Sequence, residues 1–203
     1  LRYEDVVLKA VKIEKDFIAH TQSGKKPFHI PDRTLGWTMA PSSTDFSQLY
    51  STDQHGFRIT CSEQERDPRL PEIAFWGNSI LLGGEVSDED SWLWILQEKL
   101  KNEYSLYNGG VSSYGTDQGY LRFVEMSKDI KLKKTFLSYS TSDLSRNINI
   151  QRMFVHHKSD PIFLKPKFEL SKDSLNLIKP PFTDYSNISR ILKDKSTKKF
   201  LKK

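Results

Sequence analysis

The sequence predicts an α/β domain built on a parallel sheet, and three observations carry that expectation. Apolar runs at residues 73–76, 104–107 and 135–139 have strand length. The segments between them space their apolar residues as amphipathic helices do. Each run ends in a polar or glycine-containing turn. Strand, helix, strand, helix, strand in that order implies right-handed crossovers and parallel pairing.

Residues 1–20 read as an amphipathic helix, with Val6, Val7, Ala10, Val11, Phe17 and Ile18 at near-helical spacing. Packing on the domain and docking on a membrane surface or a partner are both readings of that face. Residues 21–70 are rich in Pro, Ser, Thr, Asp and Gly and read as an irregular lead-in with short strands. The main domain is expected over residues 71–203. Its first strand, Ile73-Ala74-Phe75-Trp76, is wholly apolar, as befits a strand buried on both faces, and Gly77 closes it with a sharp turn. A helix follows, with Ser87 as N-cap and Asp88, Glu89 and Asp90 in the electropositive first turn. Trp92, Ile95, Leu96 and Leu100 are its expected buried face. The second strand ends at Asn108-Gly109-Gly110. Thr116 or Asp117 opens the next helix, with Leu121 and Val124 facing inward. After the third strand and Asp143, residues 161–170 and 175–178 flank the polar turn Ser171-Lys172-Asp173-Ser174, a β-hairpin beside the sheet. Residues from Tyr185 onward are weakly helical.

Hydrophobic residues are 36% of the 203, a low share, but four Trp, twelve Phe and eight Tyr supply large buried areas. The net charge of +5 comes largely from the lysine-rich stretch 193–203. That stretch reads as a solvated helix end, against a contact with anionic lipid or polysaccharide. It lacks the interleaved aromatics of a nucleic-acid groove, so no nucleic-acid partner is expected. Cys61 is the single cysteine, which excludes an intrachain disulfide and a multi-cysteine zinc site. No histidine pair has a carboxylate at metal-ligand spacing, and no metal or cofactor is expected. No apolar run is long enough to span a bilayer and no signal peptide is visible. The chain begins with Leu1, and a missing upstream anchor is one expected route to membrane contact. The compartment, cytoplasmic or cell envelope, stays open.

In open α/β sheets ligands sit beyond the carboxyl ends of the strands. Three turns are expected there: Gly77-Asn78-Ser79, Asn108-Gly109-Gly110 and Ser140-Thr141-Ser142-Asp143. Together they offer a hydroxyl nucleophile and backbone N–H groups, the parts that acyl transfer needs.

These residues resemble the SGNH (GDSL-like) hydrolases. Phe75-Trp76-Gly77-Asn78-Ser79 is similar to that family's first block, Gly-Asp-Ser. Asn108-Gly109-Gly110-Val111 with Tyr114-Gly115-Thr116-Asp117-Gln118 is similar to its second. Leu35-Gly36-Trp37 and His55-Gly56-Phe57-Arg58 resemble the lead-in of bacterial members, so the likeness runs over residues 32–181. The resemblance implies a flavodoxin-like three-layer fold with central strand order 2-1-3, here incomplete and carrying the inserted hairpin. It implies an esterase, deacylase or O-acyltransferase acting on an acylated carbohydrate or lipid. By the same resemblance Ser79 is the nucleophile, and the N–H groups of Ser79 and Gly110 hold the oxyanion. Ser142 stands where the family's third block has Asn, and Asn78 where the first has Asp. The family's late Asp-x-x-His is absent. His156 and His157, read first as loop histidines, are the substitute bases, and the natural protein is expected to continue beyond Lys203 with the missing strands and histidine. A non-catalytic domain of this fold, kept for carbohydrate binding or assembly, is the competing reading. Nucleotide binding is a weaker one, since the first turn lacks Gly-x-Gly-x-x-Gly.

Overall fold

The computed structural model describes residues 27–62, 67–150 and 164–180, with isolated positions 15, 190 and 193–195. The expected N-terminal helix and the weak helix after Tyr185 fall almost wholly outside the described residues. The chain divides into two compact units, residues 39–144 and residues 1–38 with 145–203.

The larger unit is mixed α/β around a three-stranded parallel sheet. Its strands are β3 (Glu72–Gly77), β4 (Ser105–Gly110) and β5 (Leu132–Leu137), in the order β4-β3-β5. The first strand is thus central, the 2-1-3 arrangement. Alternation along β3 divides the core. Ala74 and Trp76 point to one face, where Phe57, Tyr107 and Ile130 complete a buried cluster with Phe123 and Met126 of helix α3 (Thr116–Met126). Ile73 points to the other face, with Leu106 and with Leu93 of helix α2 (Trp92–Leu100). Trp76 is fully buried, and its ring N–H donates to Thr135 Oγ1 at 2.6 Å, so its one polar atom is satisfied. Truncating such a side chain typically costs about 3–5 kcal/mol.

Several local expectations are corrected. Helix α2 is capped by Ser91, not Ser87, and its N-cap hydroxyl accepts from Trp94 N–H. Ser87 instead closes a turn with Asp90, and Asp88 leaves the helix to meet Arg58. Leu96 and Leu100 pack as expected, together with Leu93, against Ile73 and Leu106, whereas Trp92 and Ile95 are exposed. The second strand runs three residues further than expected. Asn108, Gly109 and Gly110 pair with Phe75, Trp76 and Gly77 instead of turning. A Cβ on Gly109 would lie 2.6 Å from the Trp76 ring, and one on Gly110 2.5 Å from Leu82 N. These glycines serve close approach, not a turn. Gly77 likewise keeps φ out of the left-handed region and sits against Ser138 and Leu81. The third strand starts and ends earlier than expected, and five of its six residues are exposed.

The other unit contains the hairpin β1 (His29–Asp32) and β2 (Gly36–Met39, whose last residue lies across the division), and the antiparallel hairpin β6 (Lys167–Ser171) and β7 (Ser174–Ile178). Asp32 Oδ1 closes the first turn by accepting from Thr34 and Leu35 N–H groups. Phe28, Leu35, Trp37 and Leu164 are buried. The second hairpin keeps the expected polar turn, with Lys172 at φ 54°. Register places Phe168 opposite Leu177 and Leu170 opposite Leu175, an apolar stripe on one face.

Candidate functional site

The site gathers at the carboxyl end of the parallel sheet. β3 ends at Gly77, Asn78 follows, and Ser79 opens the single-turn helix α1 (Ser79–Leu82). Asn78 is the N-cap: its Oδ1 accepts from Ile80 N–H at 2.9 Å. Gly83, at φ 68°, ends the turn by donating to the Ser79 carbonyl at 3.0 Å. Ser79 therefore stands on a short, doubly capped turn. It is exposed, and among the described residues neither its hydroxyl nor its N–H has a hydrogen-bond partner.

Beneath it lies a buried polar frame. Asn78 Nδ2 donates to Asp143 Oδ1 at 3.0 Å and to Ser140 Oγ at 3.1 Å. Asp143 Oδ2 accepts from Ser140 N–H at 3.0 Å and from Thr116 Oγ1 at 3.2 Å. Asp143 opens the short helix α4 (Asp143–Asn147), and both Asn78 and Asp143 are almost wholly buried. The frame joins the ends of β3 and β5 to the start of α3. Asn78 accepts at one end and donates at the other, which its amide can do and an ionised carboxylate in its place cannot.

A second clasp holds the loop after α1. Arg58 is fully buried and its Nε donates to Asp88 Oδ1 at 2.9 Å. Its Nη1 donates to the carbonyls of Leu82 and Gly83, and its Nη2 to those of Val86 and Ser87. Arg58 N–H also donates to the Asn108 carbonyl at 3.1 Å, which ties the lead-in to the edge of β4. Burial pushes the Asp88 carboxyl above the usual carboxylate value, and the Arg58 guanidinium works in the opposite sense. The Tyr50 ring lies under Arg58 at 4.9 Å. Burial, reinforced by the charge on Asp45, pushes its phenol up to about 12, so it stays neutral at ordinary pH.

The expected site residues fare differently. Ser79 is at the strand end. Gly110 is close to it in the fold, facing Leu82, but its N–H donates to Asn108 Oδ1 at 3.0 Å. The Gly110 N–H, expected as an oxyanion donor, is thus engaged by the Asn108 side chain in this structure. Ser142 lies on the loop after β5, and its hydroxyl is 2.8 Å from that of Ser140, one step from Asn78. His156 and His157 lie outside the described residues. Arg58, Asp88 and Asp143 were each noted in the sequence, in the lead-in, a helix start and a strand-end turn, but their partners were not. Residues 30 apart, as Arg58 and Asp88 are, give no local pattern, and neither do the 65 positions between Asn78 and Asp143.

An open groove of about 450 Å³ is lined by Phe75, Ile80, Leu81, Trp92, Phe136, Leu137 and Ser138, and Ser79 is not among its lining residues. Among the described residues no cluster of His, Cys, Asp and Glu is arranged to hold a metal ion, and no helix is long and apolar enough to cross a membrane. No protein-family model matches the chain, and no curated protein matches it.

Proposed function

We propose that this chain is an SGNH-type serine ester hydrolase or O-acyltransferase with Ser79 as the nucleophile, and that its sheet is the core of a flavodoxin-like three-layer fold. The observation that carries the reading is Ser79 itself: an exposed, unengaged hydroxyl at the carboxyl end of the central strand of a parallel sheet. In the proposed reaction the Ser79 Oγ adds to an ester carbonyl while a base takes its proton. The Ser79 N–H, at the start of α1, donates to the oxyanion. The carbon–oxygen bond to the alcohol then breaks, and water or an acceptor hydroxyl takes the acyl group from Ser79. The proposed substrate is an acylated glycan or a lipid ester. His156 and His157 are the proposed bases.

A second reading, a non-catalytic domain of the same kind, is favoured by one observation, the engaged N–H of Gly110. One oxyanion donor of this type is typically worth about 100- to 1,000-fold in rate. An alkyl fluorophosphonate separates the readings, since only an activated serine reacts fast. The expected result is covalent labelling that Ser79→Ala abolishes, and that His156→Ala or His157→Ala slows by roughly 100-fold or more. A folded chain that stays unlabelled supports the non-catalytic reading.

A further inference from the structure

The motif Gly56-Phe57-Arg58 takes no part in the reaction proposed for Ser79, yet each of its residues is committed. Gly56 turns the chain at φ 76°, and its carbonyl accepts from Arg122 Nη2 at 2.7 Å. Phe57 is fully buried against Trp76 and Tyr107, with ring centroids 5.5 and 5.2 Å away. Arg58 is thereby fixed at the edge of β4, with no exposed surface. Each of its five guanidinium N–H groups has an acceptor: Asp88 Oδ1, and the carbonyls of Leu82, Gly83, Val86 and Ser87. Four of the five are main-chain oxygens. What the arginine supplies is thus mostly a fixed shape, beyond the neutralisation of one carboxylate.

The carbonyls of Leu82 and Gly83 stand at the end of α1. The last carbonyls of a helix have no partner inside it, and a single turn does not recover its own nucleation cost. α1 is a single turn of four residues, so it depends on outside bonds at both ends. Asn78 serves the first end and Arg58 the second. The Asn108 amide adds only long contacts there, 3.4 and 3.3 Å from the Leu81 and Leu82 carbonyls. From Arg58 to Ser79 is one residue: Gly83 accepts from Nη1 through its carbonyl, and its N–H donates to the Ser79 carbonyl at 3.0 Å. The fit is close, since a Cβ on Gly83 would lie 3.3 Å from Nη1.

Resting on the reading of Ser79 as nucleophile, we infer that Arg58 is a positioning residue for that nucleophile: its grip on the carboxyl end of α1 sets where the Ser79 hydroxyl stands. A reacting atom misplaced by about 1 Å costs about 100-fold in rate. Lysine at position 58 keeps the charge beside Asp88, but its one nitrogen cannot span the four carbonyls.

The test uses the full chain and an alkyl fluorophosphonate, with the maximal rate of Ser79 labelling separated from the binding constant. Four proteins are compared: the parent, Arg58→Lys, Gly83→Ala and Ile130→Ala. Gly83→Ala presses on the same guanidinium from a partly exposed loop, and reads the contact even where Arg58→Lys fails to fold. Ile130 is buried just before β5, at the opposite end of the sheet, so Ile130→Ala supplies a loss of stability remote from Ser79. The expected result is a maximal rate lowered about tenfold or more in Arg58→Lys and Gly83→Ala, at an unchanged binding constant. Ile130→Ala should keep the parent's rate despite a lower Tm. Hydrogen exchange at the Gly83 amide, relative to the Ser138 amide of the same protein, reads the grip without Ser79 chemistry. It should speed up in Arg58→Lys and Gly83→Ala and not in Ile130→Ala. Labelling of Arg58→Lys at the parent's rate overturns the inference and leaves the nucleophile standing, and so does equal slowing in Ile130→Ala. An unlabelled parent whose Gly83 amide is loosened by Arg58→Lys overturns the hydrolase and keeps the grip on α1. An unlabelled parent with that amide unmoved overturns both.

Discussion

At the scale of single residues, Asn78 carries the most structural information. From sequence alone it reads as a carboxylate lost from beside the nucleophile. In the structure its amide is matched to its surroundings, accepting from Ile80 N–H and donating to Asp143 and Ser140. Asn78→Asp keeps the first bond and destroys the other two. It also sets a second carboxylate oxygen about where Nδ2 now sits, 3.0 Å from Asp143 Oδ1. The expected outcome is a loss of stability of about 3 kcal/mol, because a buried partner is left uncompensated. Hydrolysis of a small activated acetate should rise by less than about a hundredfold, because groups that act as a unit are not restored one at a time. Chemical denaturation and a chromogenic assay check the two halves. A larger gain in rate would show that the charge at position 78 limits the reaction. Ser79 was legible in the sequence because an apolar run followed by Gly-Asn-Ser marks a strand end. The hydrogen bonds under it were not, since they depend on a residue 65 positions away.

At the scale of elements, the glycines account for much of the difference between sequence and structure. Gly-Gly after an apolar run is a turn signal, yet Gly109 and Gly110 continue β4 and let Trp76 and α1 come close. The bend comes later, and the residue there with positive φ is Ser113, at 75°. A pair of glycines does not say which of its two uses applies; the size of the side chain facing it decides, and that is a tertiary fact. Gly110→Ala tests the assignment. Its Cβ would press on Leu82 backbone atoms, which cannot rotate away. The expected cost is about 1–3 kcal/mol in stability, read as a lowered Tm, with Ser79 displaced as α1 shifts. A variant as stable as the parent would mean that α1 has room to move. Helix α2 shows the complementary difficulty. Ser87 and Ser91 are both good caps by residue type, and only packing against the sheet shows that the helix begins after Ser91 and buries Leu93 with Leu96 and Leu100.

At the scale of the whole molecule, the parallel sheet was legible because three apolar runs alternate with two amphipathic segments, and its strand order was implied only by the family resemblance. The ties of Arg58 to β4 and to the loop after α1 were not legible, because they have no sequence signature. The sheet also has an asymmetric periphery. β4 is flanked by Arg58, while among the described residues β5 has β3 as its strand partner on one side only and is exposed along most of its length. Ser138 N–H donates to the Trp76 carbonyl, so the alternating amides of Thr135 and Leu137 point away from β3. Hydrogen exchange should therefore show these two amides exchanging near the rate of an unstructured chain, while those of Phe136 and Ser138 are protected. Equal protection of all four would show that the outer edge is covered.

The tie between Asn78 and Asp143 has a kinetic side. It closes a chain loop of 65 residues, and inside that loop lie both outer strands of the sheet and the helices that cross between them. Closing so long a loop costs entropy before any contact compensates for it. The tie should consequently form late, after β3 and β4 have paired, and be the first part of the sheet to let go. Stopped-flow measurements on Asn78→Ala should then find unfolding accelerated and folding nearly unchanged. A slowed folding limb would place the tie inside the nucleus instead, with the strand ends gathered before the sheet between them is complete.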